Sequence, residues 1–424
     1  MVSPSTPASI LSYADAALIV RQRAEVLRSA PCANVETVSL LGALGRVLAV
    51  PVLADRDQPP FHRATRDGFA CRAADSGRPL RVMGQIRAGD PQSMSAAVID
   101  EGEAVEIMTG APVPEGADCV VMVEHASHDT ARGIVRVDAG RRMQPGENIV
   151  AAGAEARQGA IILRAGTRIE ANHIGAAAAC GYLQVLVHGK PRVAILATGD
   201  ELVEVDEPVQ PYQIRNSNSY SLAAQVVSAG AESVRLPIAA DKAATIEAGV
   251  RAALDCDLVL LSGGVSAGRY DLVGPALLSM GAEFLFTGVL MQPGKPVVFG
   301  RIPHADGYRY FFGLPGNPVS TLVTFTLFVR PLLDALAGAK ADAPRFVQAR
   351  LREEVKVKPG LTRFLPALLR NHSGSGGDFD AAVAAIPWHG SGDLANTARA
   401  NCFLVVPADR EVVKAGEMVA VLLS

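Results

Sequence analysis

Apolar residues recur at helical spacing close to the start of the chain. Over 12–29, Tyr13, Ala17, Val20, Ala24 and Leu27 share one face, and Ser12 with Asp15 three residues on reads as a helix cap. From about 34 to 165 the pattern shortens to runs such as VRVDAG and AVEIMTG. Turn signals at Pro59-Pro60, Pro114-Glu115-Gly116 and Pro145-Gly146 separate them, which predicts strands and loops. RIEANHIGAAAACGY then predicts one small-residue helix that stops at Gly181.

Between about 190 and 338, strand and helix patterns alternate. RVAILAT, SVRLPI, DLVLLSG, PVVFG and YRYFFG read as buried strands. Segments 219–229, 241–254 and 271–280 read as helices, with Gly230 and Gly281 as stops, and a long helix follows from Asn317 to about Ala337. This alternation predicts a mostly parallel, doubly wound α/β sheet with helices on both faces. After Gly338-Ala339-Lys340 short strands return in ARLREEV, RFLPALL and CFLVVPA, which predicts a small β-barrel beginning near 341.

Composition narrows this picture without redirecting it. A chain of 424 residues exceeds one core and should divide into two to four domains. The formal net charge of −3 argues against a general nucleic-acid partner. No window approaches 18 uninterrupted apolar residues and the N-terminus lacks a basic leader, so neither a membrane span nor a signal peptide is predicted, and a cytoplasmic location is expected. Cys32, Cys71, Cys119, Cys180, Cys256 and Cys402 are scattered singly, as small buried thiols in a reduced compartment would be. No H-E-x-x-H pattern points to a histidine-held zinc.

In an open α/β sheet, ligands bind beyond the C-terminal ends of the strands. Here those ends run into Gly199-Asp200-Glu201, into Gly263 and Gly264 followed by Val265-Ser266-Ala267-Gly268-Arg269-Tyr270-Asp271, and into Leu314-Pro315-Gly316-Asn317-Pro318. Small residues before a helix let backbone N–H groups approach a phosphate, although tight turns need glycine for their own reasons. Asp200, Glu201, Asp241 and Asp271 could converge at one rim as a Mg²⁺ site, which commonly uses one or two carboxylates plus substrate phosphates. Taken singly, Asp241 and Asp271 suit helix starts, and Asp200-Glu201 suits a solvated turn. Lys295, on the turn QPGKP, either neutralises an anion or faces solvent. The residues alone therefore point to an α/β enzyme acting on a phosphorylated or nucleotide-like ligand.

The same segments carry a family resemblance. TGDEL at 198–202, QIRNSNSYSL at 213–222, SGGVSAGRYD at 262–271, QPGKP at 292–296 and GLPGNPVS at 313–320 resemble successive loops of the MoeA proteins and the gephyrin E domain. RDGFA at 66–70, IMTGAPVPEGADCVV at 107–121, GENIVAAGAE at 146–155 and GSGDLANTARANCFLVVP at 390–407 resemble the remaining signatures in the same order. The resemblance spans nearly the whole chain.

It implies a four-part subunit. A MogA-like α/β domain would take 10–33 and 186–340, a connecting domain 34–54 and 150–185, a β-rich inserted domain 55–149, and the barrel 341–424. It further implies a homodimer whose cleft lies between subunits, and a reaction joining molybdate to adenylyl-molybdopterin with Mg²⁺-dependent release of AMP. A molybdopterin adenylyltransferase would be the supplier, and apo-molybdoenzymes or their chaperones the recipients. By the same resemblance Glu201, Asp241 and Asp271 take acidic, metal-side positions. Gly199, Asp200, Asn218, Gly263, Gly264, Ser266, Gly268, Pro315, Gly316 and Asn317 take substrate-side positions, Lys295 the basic turn, and Asp67 with Thr109 the inserted domain's share. Arg363 and Ser391 of the barrel are further candidates for anion contacts.

The chain departs from the family pattern at Ala64 and Arg66, where Ser and Met are usual, and at Gln292, where some relatives carry a basic residue. Arg66 either lowers the pKa of Asp67 or faces solvent. Two other activities remain to be weighed: a pterin adenylyltransferase, which would not need the β domains, and a non-catalytic scaffold. Tungstate in place of molybdate is invisible in sequence.

Overall fold

The computed structural model describes residues 10–29, 34–89, 98–264, 272–305, 307–339, 344–373 and 379–423. Its centre is a six-stranded sheet in the order Glu232–Arg235, Arg192–Ala197, Leu258–Ser262, Gly307–Leu314, Val298–His304, Glu283–Phe286. The first four strands are parallel, and only Val298–His304 runs against the rest. Leu258–Ser262 is buried at every residue and Arg192–Ala197 at all but its first. Such unbroken apolar runs are what covering both faces of a parallel sheet requires.

One face packs beneath helices Tyr13–Ser29, Ser217–Ser228 and Pro318–Thr324 through Ile195, Leu222, Val226, Leu260, Phe312 and Val323. The other packs beneath Ala243–Ala253 and Val273–Ser279 through Leu196, Ile246, Val250, Val259 and Leu277. The N-terminal helix begins as its sequence predicts: Ser12 Oγ accepts from the Asp15 N–H at 3.1 Å and donates to its carboxylate at 2.7 Å. Gly230 and Gly281, at φ of +82° and +80°, take the left-handed conformation that ends a helix.

Three helices start later or earlier than the sequence reading, among them the one read over 271–280, which is Val273–Ser279, and a fourth changes its winding. The helix expected from 219 starts at Ser217, because the Asn216 side chain caps it by accepting from Ser219 N–H. The helix expected from 241 starts at Ala243, because Lys242 has an extended backbone. The long helix after Asn317 widens into a π turn over Phe325–Val329 before Arg330–Leu336. Pro331 cannot donate to a preceding carbonyl, and the wider turn accommodates the loss. The whole span Pro318–Leu336 is long and apolar enough to cross a membrane, but it is a mostly buried core helix here.

The C-terminal strands close into a barrel. Thr362–Ser373, Phe379–Ala385, Phe346–Leu351, Met418–Leu423 and Cys402–Val406 follow one another, and the last pairs back with the first. The barrel does not stand apart from the α/β layers. Met291–Gln292 pairs with it in parallel, setting Gln292 opposite Arg363, and Phe364, Phe403 and Leu422 join the apolar cluster of the central sheet. Tyr13 is wedged between Phe328 and Phe364, with ring centroids 6.0 and 5.5 Å away.

Before the α/β layers lie two further cores. Segments 34–53 and 161–188 share short antiparallel pairings around Leu48, Val52, Ile169 and Val187. Between them a six-stranded mixed sheet runs Cys119–Met122, Gly68–Cys71, Glu103–Ile107, Leu80–Ile86, Ile134–Val137, Ala126–Asp129. All five described cysteines are buried thiols, and Cys71 faces Cys119 across two strands with sulfurs 3.7 Å apart. Cys32 lies outside the described residues.

One ionic knot ties the short-strand region to the α/β layers. Arg168 donates to Asp334 at 2.8 Å and to the Gly45 carbonyl at 2.8 Å, and Arg330 donates to the same Asp334 oxygen at 2.9 Å. Burial lowers the pKa of Arg168, against the pull of Asp334. Breaking such a pair by deleting one partner strands the other charges. We expect Asp334→Ala to destabilise the protein by about 3 kcal/mol, read as a lower urea midpoint; an unchanged midpoint would mean that the Gly45 carbonyl alone anchors Arg168.

Candidate active site

The strand ends of the sheet surround a cavity of about 330 Å³. Thr198 and Glu201 line it after the first central strand, Ser262 and Gly263 after the second, and Gly316 and Asn317 after the third. The segment Ile214–Asn218 closes a fourth side, and Gly392 and Leu394 of the barrel a fifth. The barrel is held there by the Val319 N–H, which donates to the Ser391 carbonyl at 3.1 Å.

Backbone geometry at the rim demands glycine. Gly263 and Gly264 have φ of +93° and +61°, and a Cβ on Gly263 would lie 2.6 Å from the Thr198 carbonyl oxygen. A Cβ on Gly316 would come within 3.8 Å of the Gly263 Cα, so the two loops approach backbone to backbone. Glu201 folds back over Gly199, where a Cβ would sit 2.6 Å from its carboxylate.

Two helices begin at the cavity: Ser217–Ser228, capped by the Asn216 side chain, and Pro318–Thr324, which follows Asn317 with no side-chain cap. The first-turn N–H groups and dipole of Ser217–Ser228 favour an anion, whereas Pro318 has no N–H and the Val319 N–H is taken by the Ser391 carbonyl. Among the described lining residues Arg215 brings a positive charge and Glu201 a negative one. Arg215 Nε is itself held by the Val205 carbonyl at 3.0 Å.

The acidic positions are only partly assembled. Asp200 and Asp241 clasp each other: the Asp241 N–H donates to Asp200 Oδ1 at 3.0 Å, and the Asp200 N–H donates to Asp241 Oδ2 at 3.4 Å. Asp200 and Glu201 sit in an exposed turn, as the sequence suggested, and the clasp fixes that turn against Asp241. Glu201 lines the cavity, whereas Asp271, Ser266 and Gly268 lie outside the described residues. Among the described residues no three His, Cys, Asp or Glu side chains form a metal-holding group.

The other expected residues scatter more widely. Asn218 lines the cavity and donates from Nδ2 to Ser262 Oγ at 3.0 Å and to the Gly316 carbonyl at 2.8 Å. Pro315 is buried, with its carbonyl taking the Thr321 hydroxyl at 2.7 Å. Lys295 is exposed near the start of Val298–His304, outside the cavity lining. Arg363 turns its guanidinium to the Lys358 carbonyl at 2.8 Å.

Asp67 and Thr109 form a pair of their own on the mixed sheet. Asp67 Oδ1 accepts from the Thr109 N–H at 2.6 Å and from its hydroxyl at 2.7 Å. These bonds hold the Asp67 carboxyl below the ordinary aspartate range. Arg66 does not contribute; it reaches the Thr65 carbonyl instead. Its expected influence on Asp67 is therefore replaced by that of Thr109, which lies 42 residues away in sequence. Neither Asp67 nor Thr109 lines the cavity.

Sequence reading missed Thr198, Leu202, Ile214, Arg215, Asn216, Ser217, Ser262, Pro318, Gly392 and Leu394 as lining residues. All ten lie inside quoted motifs, but only the folded arrangement separates the residues facing the cavity from those that merely build a turn.

Three family profiles match the chain in order. They are the MoeA N-terminal region (domain I and II) over residues 11–181, a "probable molybdopterin binding domain" over 194–335, and the MoeA C-terminal region (domain IV) over 348–424. A Nostoc sp. protein named molybdopterin molybdenumtransferase is 36% identical over 405 residues, covering 92% of this chain and 88% of its own. A Bacillus subtilis protein of the same name is 34% identical over 396 residues, covering 92% and 89%. The crystal structure of a molybdopterin biosynthesis moeA protein from Pyrococcus horikoshii OT3 is similar over 98% of this chain and 100% of that one, with a TM-score of 0.77 and 28% identity.

A carboxyl with a lowered pKa stabilises the fold above its unfolded pKa, and that contribution fades as pH falls through the folded value. Thr109→Val keeps the backbone bond to Asp67 and deletes the hydroxyl bond. We expect the Asp67 carboxyl to titrate at higher pH in this variant than in the wild type, followed by carboxyl NMR; an unmoved titration would assign the effect to the Thr109 N–H alone.

Proposed function

The chain belongs to the MoeA family and is a transferase of molybdenum cofactor biosynthesis, and from that premise we propose that it is a molybdopterin molybdenumtransferase that inserts molybdate into adenylyl-molybdopterin with release of AMP. The observation that carries this reading is the cavity at the strand ends, where two helix N-termini, a close-approach glycine loop, Arg215 and Glu201 meet. That combination suits a ligand with both phosphate and a cation to place. The four-part division read from the sequence goes with this proposal, as does a cytoplasmic reaction.

The chain's own residues have separable tasks. The N–H groups at Ser217–Asn218 receive phosphate oxygens, and Gly263 and Gly316 let the ligand reach the backbone. Lys295, exposed outside the cavity lining, draws in anionic substrates by long-range charge. Glu201 and the free oxygen of Asp241 would hold Mg²⁺, a cation that takes most of its ligands from water and phosphate and so needs few carboxylates. Bound there, Mg²⁺ would neutralise charge on the phosphate oxygens as AMP leaves.

Asp67, kept ionised by Thr109, belongs to a different part of the chain. Since 55–149 contributes nothing to the lining of the cavity, we assign Asp67 and Thr109 to the cavity of a second copy, in a homodimer.

The direct test supplies purified chain with adenylyl-molybdopterin, Mg²⁺ and molybdate or tungstate, and follows AMP and cofactor. AMP release that depends on oxyanion and Mg²⁺ is the expected result. Adenylation of molybdopterin by ATP without molybdate would instead make the chain an adenylyltransferase.

Asp67→Ala should lower AMP release about a hundredfold or more while leaving the melting temperature nearly unchanged, since the side chain is exposed. Wild-type turnover in that variant would remove Asp67 from the reaction. A shared site also predicts complementation. Two inactive variants, Asp67→Ala and Glu201→Ala, refolded together should recover about a quarter of wild-type activity, because half of each mixed dimer is then intact; no recovery would place each site within one chain.

A further inference from the structure

Three branched apolar side chains line the cavity among its polar groups. Leu202 and Ile214 come from two short paired strands, and Leu394 comes from the barrel. Ile214 is 57% exposed, so its side chain is open to whatever enters. A single exposed isoleucine is ordinary on a protein surface. Three such side chains in one cavity, two of them side by side, make an apolar strip that gains by being covered.

The strip is firmly held. Leu202–Val203 and Ile214–Arg215 pair in parallel, with Leu202 opposite Ile214. The Ile214 N–H donates to the Glu201 carbonyl at 2.9 Å, and the Asn216 N–H donates to the Val203 carbonyl at 2.9 Å. These bonds flank the Leu202–Ile214 register on both sides. Neighbouring strands lie about 4.8 Å apart, so the two side chains together offer a surface the width of an aromatic ring.

The next residue carries charge. Arg215 lines the same cavity, and its Nε donates to the Val205 carbonyl at 3.0 Å. That bond orients the guanidinium and leaves its two Nη groups without a partner among the described residues. Glu204, which precedes the Val205 carbonyl, pairs instead with Arg235, and Arg235 also lies over the Tyr220 ring at 4.0 Å. The paired Nη groups of an arginine match two oxygens of one phosphate, a fit that lysine cannot reproduce.

We propose that Leu202, Ile214 and Arg215 act as one recognition element for a planar heterocycle that carries a phosphate, the ring lying on the apolar strip and the phosphate on the Arg215 fork. This rests on the molybdopterin reading above and deepens it. Adenylyl-molybdopterin has a ring and a phosphate at each end. The cavity of about 330 Å³ is close to the lower limit for a small-molecule site, roughly 300 Å³. It therefore takes one end of the substrate and leaves the other outside.

Calorimetric titration of the full chain with AMP and with molybdopterin, each over a range of salt, tests the element. Ile214→Ala and Arg215→Gln alter exposed side chains, so neither should move the melting temperature by more than about 2 °C. For the end that binds here, Ile214→Ala should weaken affinity about fivefold and leave its salt dependence unchanged. Arg215→Gln should weaken it about tenfold and flatten the salt dependence. Arg215→Lys should keep the salt dependence and still lose about threefold, because the fork is gone. Losses confined to AMP seat the nucleotide end on the strip, and losses confined to molybdopterin seat the pterin end; either supports the element. Losses of equal size for both ligands would overturn the seating of one end. Unchanged affinity for both in Ile214→Ala would overturn the strip, and an unchanged salt dependence in Arg215→Gln would overturn the fork. A wild-type chain that binds neither ligand would overturn the molybdopterin reading as well, a result distinct from the others.

Discussion

Covering both faces of one parallel sheet governs where chemistry can happen in this chain. Leu258–Ser262 and nearly all of Arg192–Ala197 are buried, so no polar side chain can stand along these strands without a partner. Parallel strands also place all their C-terminal ends at one edge. The sequence changes character at that edge, from Ala197 to Thr198, from Leu261 to Ser262 and Gly263, and from Leu314 to Gly316 and Asn317. The cavity is the place where the core stops being apolar.

A second apolar contact makes the cavity deeper than the sheet alone could. Tyr13 fills the angle between Phe328 of the core helix and Phe364 of the barrel, and burial pushes its hydroxyl pKa up to about 12. The wedge stays neutral at any physiological pH, so the two layers do not acquire a buried charge between them. With the barrel fixed in that way, the loop carrying Ser391, Gly392 and Leu394 reaches the start of Pro318–Thr324 and closes one wall. Segments some 75 residues apart thus build one site through packing that neither makes alone.

Much of the fold was legible because it follows from period and punctuation. The strands of the central sheet read as continuous apolar runs, the helix stops read as glycines, and the barrel read as short strands after 341. Boundaries failed where the backbone departed from its neighbours' pattern: the extended Lys242 puts one helix start two residues late. The site was legible to the extent that glycine and acid mark it. It was illegible where a role depends on a distant partner, as with Thr109 and Asp67. Proximity in sequence misled at Arg66, whose neighbour in the chain is not its neighbour in charge.

The polar groups of the cavity differ in how they meet solvent. The cations Lys295 and Arg215 are exposed, so their fields are screened by salt. The oxygens Thr198 Oγ1 and Asn218 Oδ1 are enclosed and unpartnered among the described residues, which costs the fold stability. The acids are more committed than their number suggests, since Asp200 and Asp241 each spend an oxygen on the other's backbone. With both held by main-chain partners, the acid left to face the cavity among the described residues is Glu201, so the charge the cavity presents is set by one exposed carboxylate and one exposed guanidinium rather than by the acidic residues its loops carry.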